Sequence, residues 1–224
     1  MSVLQTLDRG LNALEIIARN AGAMSIAELA ERLEVHRAIA YRIVATLEAH
    51  ALVTRAADGQ VYLGSGLMVL ASYFEPQLRA IARPLLAALA RETRSTSYLS
   101  AAQGEECVAL MVEEPDEGLL RVGYRVGSRH PLTRGAAGLA ILSARPSHDD
   151  DSDAVKQARM DGFSITRGQL QRGAVGVASP LVLPARKFGG FEGSVGVVAL
   201  DDLDTVAATE AVKHCAERIS SLMG

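Results

Sequence analysis

The sequence predicts an α+β fold in two parts: a small unit of three helices and a β-hairpin, then a larger domain of strands and helices. The first part is predicted by apolar residues that recur at helical spacing in three segments, followed by two strand-like runs around a turn. The second is predicted by alternating strand-like and helical segments beyond residue 93, which are typical of a sheet with helices packed against it.

The composition is that of an ordinary globular protein. Of the 224 residues, 49% are apolar and 22% are charged, which leaves enough apolar surface for a core. No uncharged apolar run reaches the roughly 18 residues that a membrane-spanning helix needs, and the N-terminal stretch lacks the layout of a signal peptide. The two distant cysteines fit reduced, buried thiols. We therefore expect a cytoplasmic protein that does not bind membranes.

Periodicity and capping signals define the first three helices. One face of the first helix, which ends near residues 20–22, is apolar and consists of Leu4, Leu7, Leu11, Leu14 and Ile17. Ser25 and Glu28 form the S-x-x-E capping box of the second helix. A third helix is expected from about residue 37 to 50, with a core face of Ile39, Ala40, Ile43, Val44 and Leu47.

The segment after the third helix predicts a β-hairpin. Strand-like runs at 52–55 and 60–63 flank the turn signal Asp58-Gly59. Three helices followed by a two-stranded hairpin are the layout of a winged helix-turn-helix, and no other small unit fits this order as well. We assign this unit to residues 1–66.

An interrupted helix and a sheet domain follow. The pattern from residue 67 is helical, but Pro76 and Pro84 fall inside it, and proline kinks or ends a helix. We therefore expect a broken linker helix at 67–92 and a separate domain at 93–224. In that domain, strands are expected at 96–102, 107–114, 119–127, 174–184 and 193–200, and helices at about 136–144, 153–161 and 204–222.

The third helix has a free face of small residues. Removing its core face leaves Ala38, Ala45 and Ala49 beside Tyr41 and Arg42. A recognition helix must enter a groove about 12 Å wide, so small side chains permit close approach to base edges. Alanine is also a good helix former on a solvated face, and composition alone leaves that interpretation open. The order of capping box, turn, third helix and hairpin favours DNA binding.

The candidate DNA contacts lie on this helix and in the hairpin. Arg42 can contact a guanine edge or a phosphate, whereas Tyr41 and Arg37 are candidate phosphate contacts. His36 is a candidate helix cap or phosphate contact, and Arg55 can reach the DNA backbone from the hairpin. The net charge of −3 excludes a generally basic surface but not a few converging arginines. The full set is His36, Arg37, Ala38, Tyr41, Arg42, Ala45 and Arg55.

Long stretches of the chain resemble the isocitrate-lyase-regulator (IclR) family. The resemblance runs through SIAELAERLEVHRAIAYRIVATLEAHALV, GYRVGSRHPLTRGAAGLAIL and DGFSITRGQLQRGAVGVASPL. It implies a transcriptional regulator, most often a repressor, that binds a double-stranded DNA operator as a homodimer or a dimer of dimers. It also implies a GAF-like C-terminal domain with an antiparallel sheet, which binds a small and commonly carboxylate-bearing effector. No cofactor is expected.

The stretch PLTRGAAG, residues 131–138, is a candidate anion site. Thr133 can cap a helix whose first free amides belong to Gly135, Ala136 and Ala137, and unpaired amides together with the helix dipole attract a carboxylate. An ordinary turn with small residues explains the same stretch equally well. Arg134, where the family usually has a small residue, is either a cationic partner of the carboxylate or simply exposed.

The resemblance adds Thr166, Gly176, Val198 and Leu200 to this pocket. Only Thr166 supplies a hydroxyl group, while Val198 and Leu200 would form an apolar wall, whose contact with hydrocarbon is favourable by about 25 cal/mol per Å². We therefore expect an effector that is a carboxylate with an apolar or aromatic body.

Two other functions are weighed against this interpretation. The acidic stretch HDDDSD, residues 148–153, suggests a metal site, but consecutive carboxylates point in different directions and favour a solvated loop at a helix start. The five histidines fall in no hydrolase or metalloprotease signature, so an enzyme is not expected. The alternative is a small-molecule sensor or enzyme whose helix-turn-helix contacts protein, and a steep salt dependence of DNA binding would argue against it.

Overall fold

The computed structural model describes residues 3–20, 23–73, 76–115, 123–184, 190–200 and 203–224. The chain divides into two compact units, Met1–Phe74 and Glu75–Gly224. The first is helical with a small sheet and the second combines helices with a larger sheet, so the predicted α+β class is confirmed. None of the described helices is long and apolar enough to cross a membrane.

The first unit is a winged helix-turn-helix. Its helices are α1 (Gln5–Arg19), α2 (Ile26–Arg32), α3 (Arg37–Ala49) and α4 (Gly66–Ser72), and its strands are β1 (Ala23–Ser25), β2 (Val53–Arg55) and β3 (Gln60–Leu63). The described strands pair antiparallel in the order β1-β3-β2. The predicted hairpin is present. β1 was not predicted, because three residues are too few to show the alternation of a strand.

The capping box sets the start of α2. The Glu28 amide donates to Ser25 Oγ at 3.2 Å, and the Ser25 amide donates to Glu28 Oε2 at 2.9 Å. The backbone amide of Ser25, followed by its hydroxyl, lowers the pKa of Glu28. Behind this cap, α1, α2, α3 and the hairpin share one core, whose buried members include Ile17, Met24, Leu29, Val44, Val53 and Val61.

The helical segment after residue 66 breaks before Pro76 but not at Pro84. α4 ends at Ser72, and α5 (Pro76–Thr93) begins at Pro76, a first-turn position where proline gives up no helix hydrogen bond. α5 continues through Pro84, so the expected interruption at that residue is wrong. The helix is held there by packing, because Ala82 and Leu86 on either side of Pro84 are fully buried.

The second unit is an antiparallel sheet with helices on both faces. Its strands are β4 (Thr96–Gln103), β5 (Glu106–Glu113), β6 (Arg129–Pro131), β7 (Ser164–Arg167), β8 (Ala174–Leu181) and β9 (Gly193–Leu200). The described strands lie in the order β6-β5-β4-β9-β8-β7. The helices are α5, α6 (Gly135–Ala144), α7 (Asp153–Asp161) and α8 (Thr205–Met223).

Neighbouring residues along the strands point to opposite faces and enter different cores. Leu99 and Val177 pack with α5 and α8, whereas Tyr98 and Ala178 pack with α6 on the other face. α7 packs beside α6. The α6 face is the one that carries the candidate effector site.

The strand predictions for this unit are only partly correct. The described part of the strand expected at 119–127, residues 123–127, is not a strand, and residues 119–122 lie outside the described residues. The short edge strands β6 and β7 were not predicted.

The acidic stretch precedes α7, where Asp151 accepts from the His148 amide at 2.9 Å and pairs with Arg159 at 2.9 Å. No group of His, Cys, Asp or Glu suited to a metal ion occurs among the described residues.

Candidate functional site

α3 presents the face of small residues that its sequence predicts. Its core side contains Ala40, Ile43, Val44 and Leu47, whereas the predicted contact residues on and before this helix are all exposed: His36, Arg37, Ala38, Tyr41, Arg42 and Ala45. The helix is joined to α2 by residues 33–36. The side chain of His36 makes no capping hydrogen bond, so the structure gives no support to a capping role.

The hairpin is joined to α3 by an ion pair. Arg55 donates to Glu48 Oε2 through Nε at 2.9 Å and through Nη2 at 2.5 Å. This contact lowers the pKa of Glu48 and raises the pKa of Arg55. Arg55 was predicted to lie near DNA, but its pairing with Glu48 was not predicted, because it depends on how the hairpin folds back onto α3. Arg55 therefore also fixes the hairpin relative to the candidate recognition helix.

The second unit contains a partly open cavity of about 130 Å³ at the N-terminal end of α6. Its polar side chains include Tyr98, Tyr124, His130, Thr166, Gln169 and Gln171. Its remaining lining is apolar or small and includes Ala136, Ala137, Leu170, Ala174, Gly176 and Val198. Within the described chain, no Asp, Glu, Lys or Arg side chain lines the cavity. A charged ligand would therefore rely on backbone groups or on the polar side chains of this lining.

Two serine side chains on the sheet hold the first turn of α6 in place. Ser164 Oγ donates to the Ala136 carbonyl at 2.6 Å, and Ser194 Oγ donates to the Ala137 carbonyl at 3.1 Å. The amides of Ala136 and Ala137 have no acceptor among the described residues. Such first-turn amides carry the positive end of the helix dipole. Two donors are thus held rigidly at the wall of the cavity.

Gly176 on β8 leaves the space in front of this turn open. A Cβ atom added to Gly176 would lie 3.4 Å from Ala136 Cβ and 3.5 Å from Thr166 Oγ1. Both are ordinary contact distances, so the position tolerates a side chain sterically. Any side chain larger than alanine would extend into the cavity.

The third predicted donor, the Gly135 amide, is already used. It donates to Gln169 Oε1 at 2.8 Å. The expected cap by Thr133 is wrong, because α6 begins at Gly135 with Arg134 as the N-cap and has no side-chain cap from that residue. Gly135 has φ = +77°, a conformation that favours glycine. Gln169 lies 34 residues away, so no local pattern could reveal its role.

Arg134 and Leu200 lie outside the cavity lining, as does Gly135. Arg134 is exposed, as one of its two predicted placements has it, and does not line the cavity as a partner of a carboxylate. It donates through Nη2 to the backbone carbonyl of Gln169. Leu200 is half-buried at the end of β9, opposite Ala174. The structure thus brings together five of the predicted effector residues: Ala136, Ala137, Thr166, Gly176 and Val198.

An aromatic wall of the cavity was not predicted. The Tyr98 and Tyr124 rings lie 4.9 Å apart between centroids, and Tyr124 Oη is 3.2 Å from Ser100 Oγ. Burial raises the pKa values of both tyrosines, and it raises the pKa of the neighbouring Cys107 thiol to about 11. These groups are therefore neutral at pH 7. β4, β5 and the residues before β6 bring them together, and their polar atoms give no periodic signal in the sequence.

Comparisons with known proteins identify both units. A model of the IclR helix-turn-helix domain matches residues 6–57, and a model of the bacterial transcriptional regulator IclR C-terminal domain matches residues 72–155. Together they cover more than half of the chain. The family they describe consists of DNA-binding transcriptional regulators and not of enzymes.

Individual relatives are distant. The acetate operon repressor of Salmonella typhimurium is 26% identical over 144 residues, which cover 62% of this chain and 53% of the repressor. The chain thus matches only about half the length of that relative. The HTH-type transcriptional regulator Rv1719 of Mycobacterium tuberculosis is 27% identical over 223 residues, with 84% of this chain and 86% of that protein covered.

A solved structure shares the fold over nearly the whole chain. It is an IclR homolog from Microbacterium hydrocarbonoxydans complexed with 4-hydroxybenzoate, with a TM-score of 0.82 and 20% identity. The match covers 97% of this chain and 98% of the homolog.

Proposed function

The chain belongs to the IclR family of transcriptional regulators, and we propose that it is a repressor whose affinity for its DNA operator is controlled by a small aromatic carboxylate. The observation that carries the effector half of this proposal is the cavity beside the free Ala136 and Ala137 amides. An operator in DNA implies that the protein works in the cytoplasm.

The carboxylate is inferred from the first turn of α6. Its two free amides and the helix dipole favour an anion, as at many helix N-termini that bind acids or phosphates. We propose that Ala136 and Ala137 supply these donors and that Thr166 contacts the same ligand. Arg134 and Gly135 act indirectly, because both are bound to Gln169.

The aromatic body is inferred from the size and lining of the cavity. A volume of about 130 Å³ is close to the roughly 150 Å³ of an engineered apolar cavity that binds benzene. Val198 and Leu170 offer apolar surface, and the Tyr98 and Tyr124 rings offer aromatic surface. The homolog complexed with 4-hydroxybenzoate supports this ligand class by analogy.

The DNA half of the proposal rests on α3 and the hairpin. We assign Arg42 and the small face formed by Ala38 and Ala45 to the major groove. His36, Arg37 and Tyr41 are assigned to nearby phosphates. Arg55 joins them from the hairpin, since a guanidinium has five N–H donors and Glu48 receives only two of them.

We propose that the working form is a homodimer, alone or paired into a dimer of dimers. Leu4, just before α1, and Leu7 and Leu11 on α1 are each 54–75% exposed, along an apolar groove that α1 forms with α3. A contiguous apolar patch of this kind indicates a protein partner. A two-fold dimer would read half-sites about 34 Å apart. Residues 67–92 are the proposed linker between the two functional domains.

Calorimetric titration of the purified chain tests the effector half. We expect benzoate to bind, and in a separate thermal-unfolding measurement to raise the melting temperature progressively as its concentration increases. Pyruvate and glyoxylate should not compete at low concentration, because they cannot fill the apolar part of the cavity. Tight binding of these short acids with none of benzoate would contradict the proposal.

A further inference from the structure

A buried histidine in the cavity lacks a hydrogen-bond partner. His130 lies in the middle of β6, opposite Cys107 of β5, and is only 7% exposed. Its Nε2 is the one buried side-chain nitrogen or oxygen without a partner among the described residues. Since His130 also lines the cavity, a ligand in the cavity is the natural partner for this atom, because an unsatisfied buried polar group is costly.

The other ring nitrogen decides what Nε2 can accept or donate. His130 Nδ1 lies 3.0 Å from the Pro131 carbonyl oxygen, and a carbonyl can only accept a hydrogen bond. Nδ1 must therefore carry the hydrogen. In the neutral imidazole, Nε2 then presents a lone pair and needs a donor.

No donor of the described residues lies within hydrogen-bond distance of His130 Nε2. The Tyr124 ring lies 6.5 Å from the imidazole between centroids, and its hydroxyl is engaged with Ser100. The nearby titratable groups Tyr98 and Cys107 are buried and neutral, so neither supplies a charge to the imidazole. The imidazole also lies beside the start of α6, because a Cβ atom added to Gly135 would be 3.3 Å from His130 Cε1. A ligand held by the α6 amides is thus within reach of Nε2.

We propose that the effector is a hydroxyl-bearing aromatic acid, whose hydroxyl donates a hydrogen bond to His130 Nε2 while its carboxylate occupies the Ala136 and Ala137 amides. This inference rests on the proposed function and narrows it. A carboxylate facing the lone pair of Nε2 would be repelled, whereas a hydroxyl satisfies it. An acid without the hydroxyl leaves Nε2 unpaired, which should weaken binding about 10- to 100-fold.

The test compares benzoate with 2-, 3- and 4-hydroxybenzoate by calorimetric titration of the full chain. We expect at least one hydroxybenzoate to bind about 10- to 100-fold more tightly than benzoate. In His130→Phe, which keeps a planar ring but removes the acceptor, this ratio should fall to within about twofold. His214→Phe is the matched control, because His214 is exposed on α8, and it should retain the ratio.

A second measurement does not depend on the folding of a variant. In the wild-type chain labelled with ¹⁵N-histidine, the His130 Nε2 resonance should stay that of an unprotonated acceptor with the hydroxybenzoate bound. A protonated Nε2 in the complex would overturn the inference, since the histidine would then serve as a cation for the carboxylate. Equal affinities for benzoate and all three hydroxybenzoates would overturn it while leaving the proposed function intact. Binding of none of the four acids would overturn both.

Discussion

At the scale of single residues, the candidate effector site depends on one residue without a side chain and on two backbone amides without an acceptor. Gly176 leaves room in front of the first turn of α6, and the Ala136 and Ala137 amides provide donors that the described protein does not use. Their carbonyls are held by Ser164 and Ser194. The turn therefore needs no rearrangement to accept an anion, which lowers the entropic penalty of binding.

A side chain at position 176 should weaken effector binding without unfolding the protein. Gly176→Val places two methyl groups in the space between Ala136 and Thr166. The added methyl groups should clash with the bound acid. A steric penalty of about 1–3 kcal/mol, the usual size for overpacking, corresponds to a loss of about 5- to 150-fold in affinity for the aromatic acid. Calorimetric titration measures the loss, and Gly176→Ala, with one methyl group, should lose less. Undiminished binding by the valine variant would show that the ligand lies elsewhere.

The capping box of α2 predicts that the stability of this helix depends on pH. Because the pKa of Glu28 is lowered in the folded state, its contribution to stability is complete above its ordinary value of 4.5 and is lost as the pH falls through the lowered value. Ser25→Ala should destabilise α2 by about 1 kcal/mol, so that its amides exchange about fivefold faster at pH 7.

Hydrogen exchange of the α2 amides, compared between Ser25→Ala and the wild type at each pH, measures this difference. Glu28→Gln, which cannot ionise, is the matched control and should show little pH dependence in the same comparison. Part of the difference should persist at acidic pH, because the bond from the Glu28 amide to Ser25 Oγ does not titrate; a difference that grows as the pH falls would contradict the assigned cap.

At the scale of elements, the sequence predicts what depends on local pattern and misses what depends on distant pairing. The helices with apolar faces and the capping box were found at nearly their observed bounds. β6 and β7 were missed because three or four residues at a sheet edge carry too little alternation. Gln169 and His130 were missed because only the folded sheet and loop bring them to α6. The predicted interruption at Pro84 was wrong because the packing of α5 outweighs the local tendency of proline to break a helix.

The small face of α3 is the element-scale prediction. If it enters the major groove, Ala45→Leu places bulk between helix and bases while leaving the exposed site free to fold. We expect a loss of about 1–3 kcal/mol, the effect of one mismatched base pair, or about 5- to 150-fold in Kd. Fluorescence anisotropy on an operator selected from genomic fragments measures it. Ala154→Leu, at an exposed alanine of α7, is the control, and equal affinities of the two variants would favour a merely solvated face.

At the scale of the whole molecule, two separate units must be coupled for regulation to occur. A ligand shifts DNA affinity only if it binds the DNA-competent and the DNA-incompetent conformations unequally. In the proposed dimer, we expect the two conformations to differ in the spacing of the two recognition helices. This spacing decides whether the dimer can bind, because the half-sites of an operator have a fixed separation.

The apolar surface of α1 predicts the assembly. Leu7 is 61% exposed and Leu11 is 54% exposed, so a charge at either position should not disturb the core of the unit. Leu7→Glu with Leu11→Glu should convert the dimer to monomers in sedimentation velocity and weaken operator binding. Met160→Glu, at a residue of α7 that is 74% exposed, is the control and should remain dimeric. A doubly substituted chain that still sediments as a dimer would place the interface elsewhere.

Operator affinity with and without the bound acid shows whether the cavity beside α6 controls DNA binding. Fluorescence anisotropy titrations at one salt concentration, with saturating hydroxybenzoate or none, give the two Kd values. We expect a change of about 5- to 150-fold in wild type, the usual range of allosteric coupling, and a smaller change in Gly176→Val at the same concentration of acid. An acid that binds the wild-type chain but leaves its operator Kd unchanged would contradict the claim that this cavity controls DNA binding.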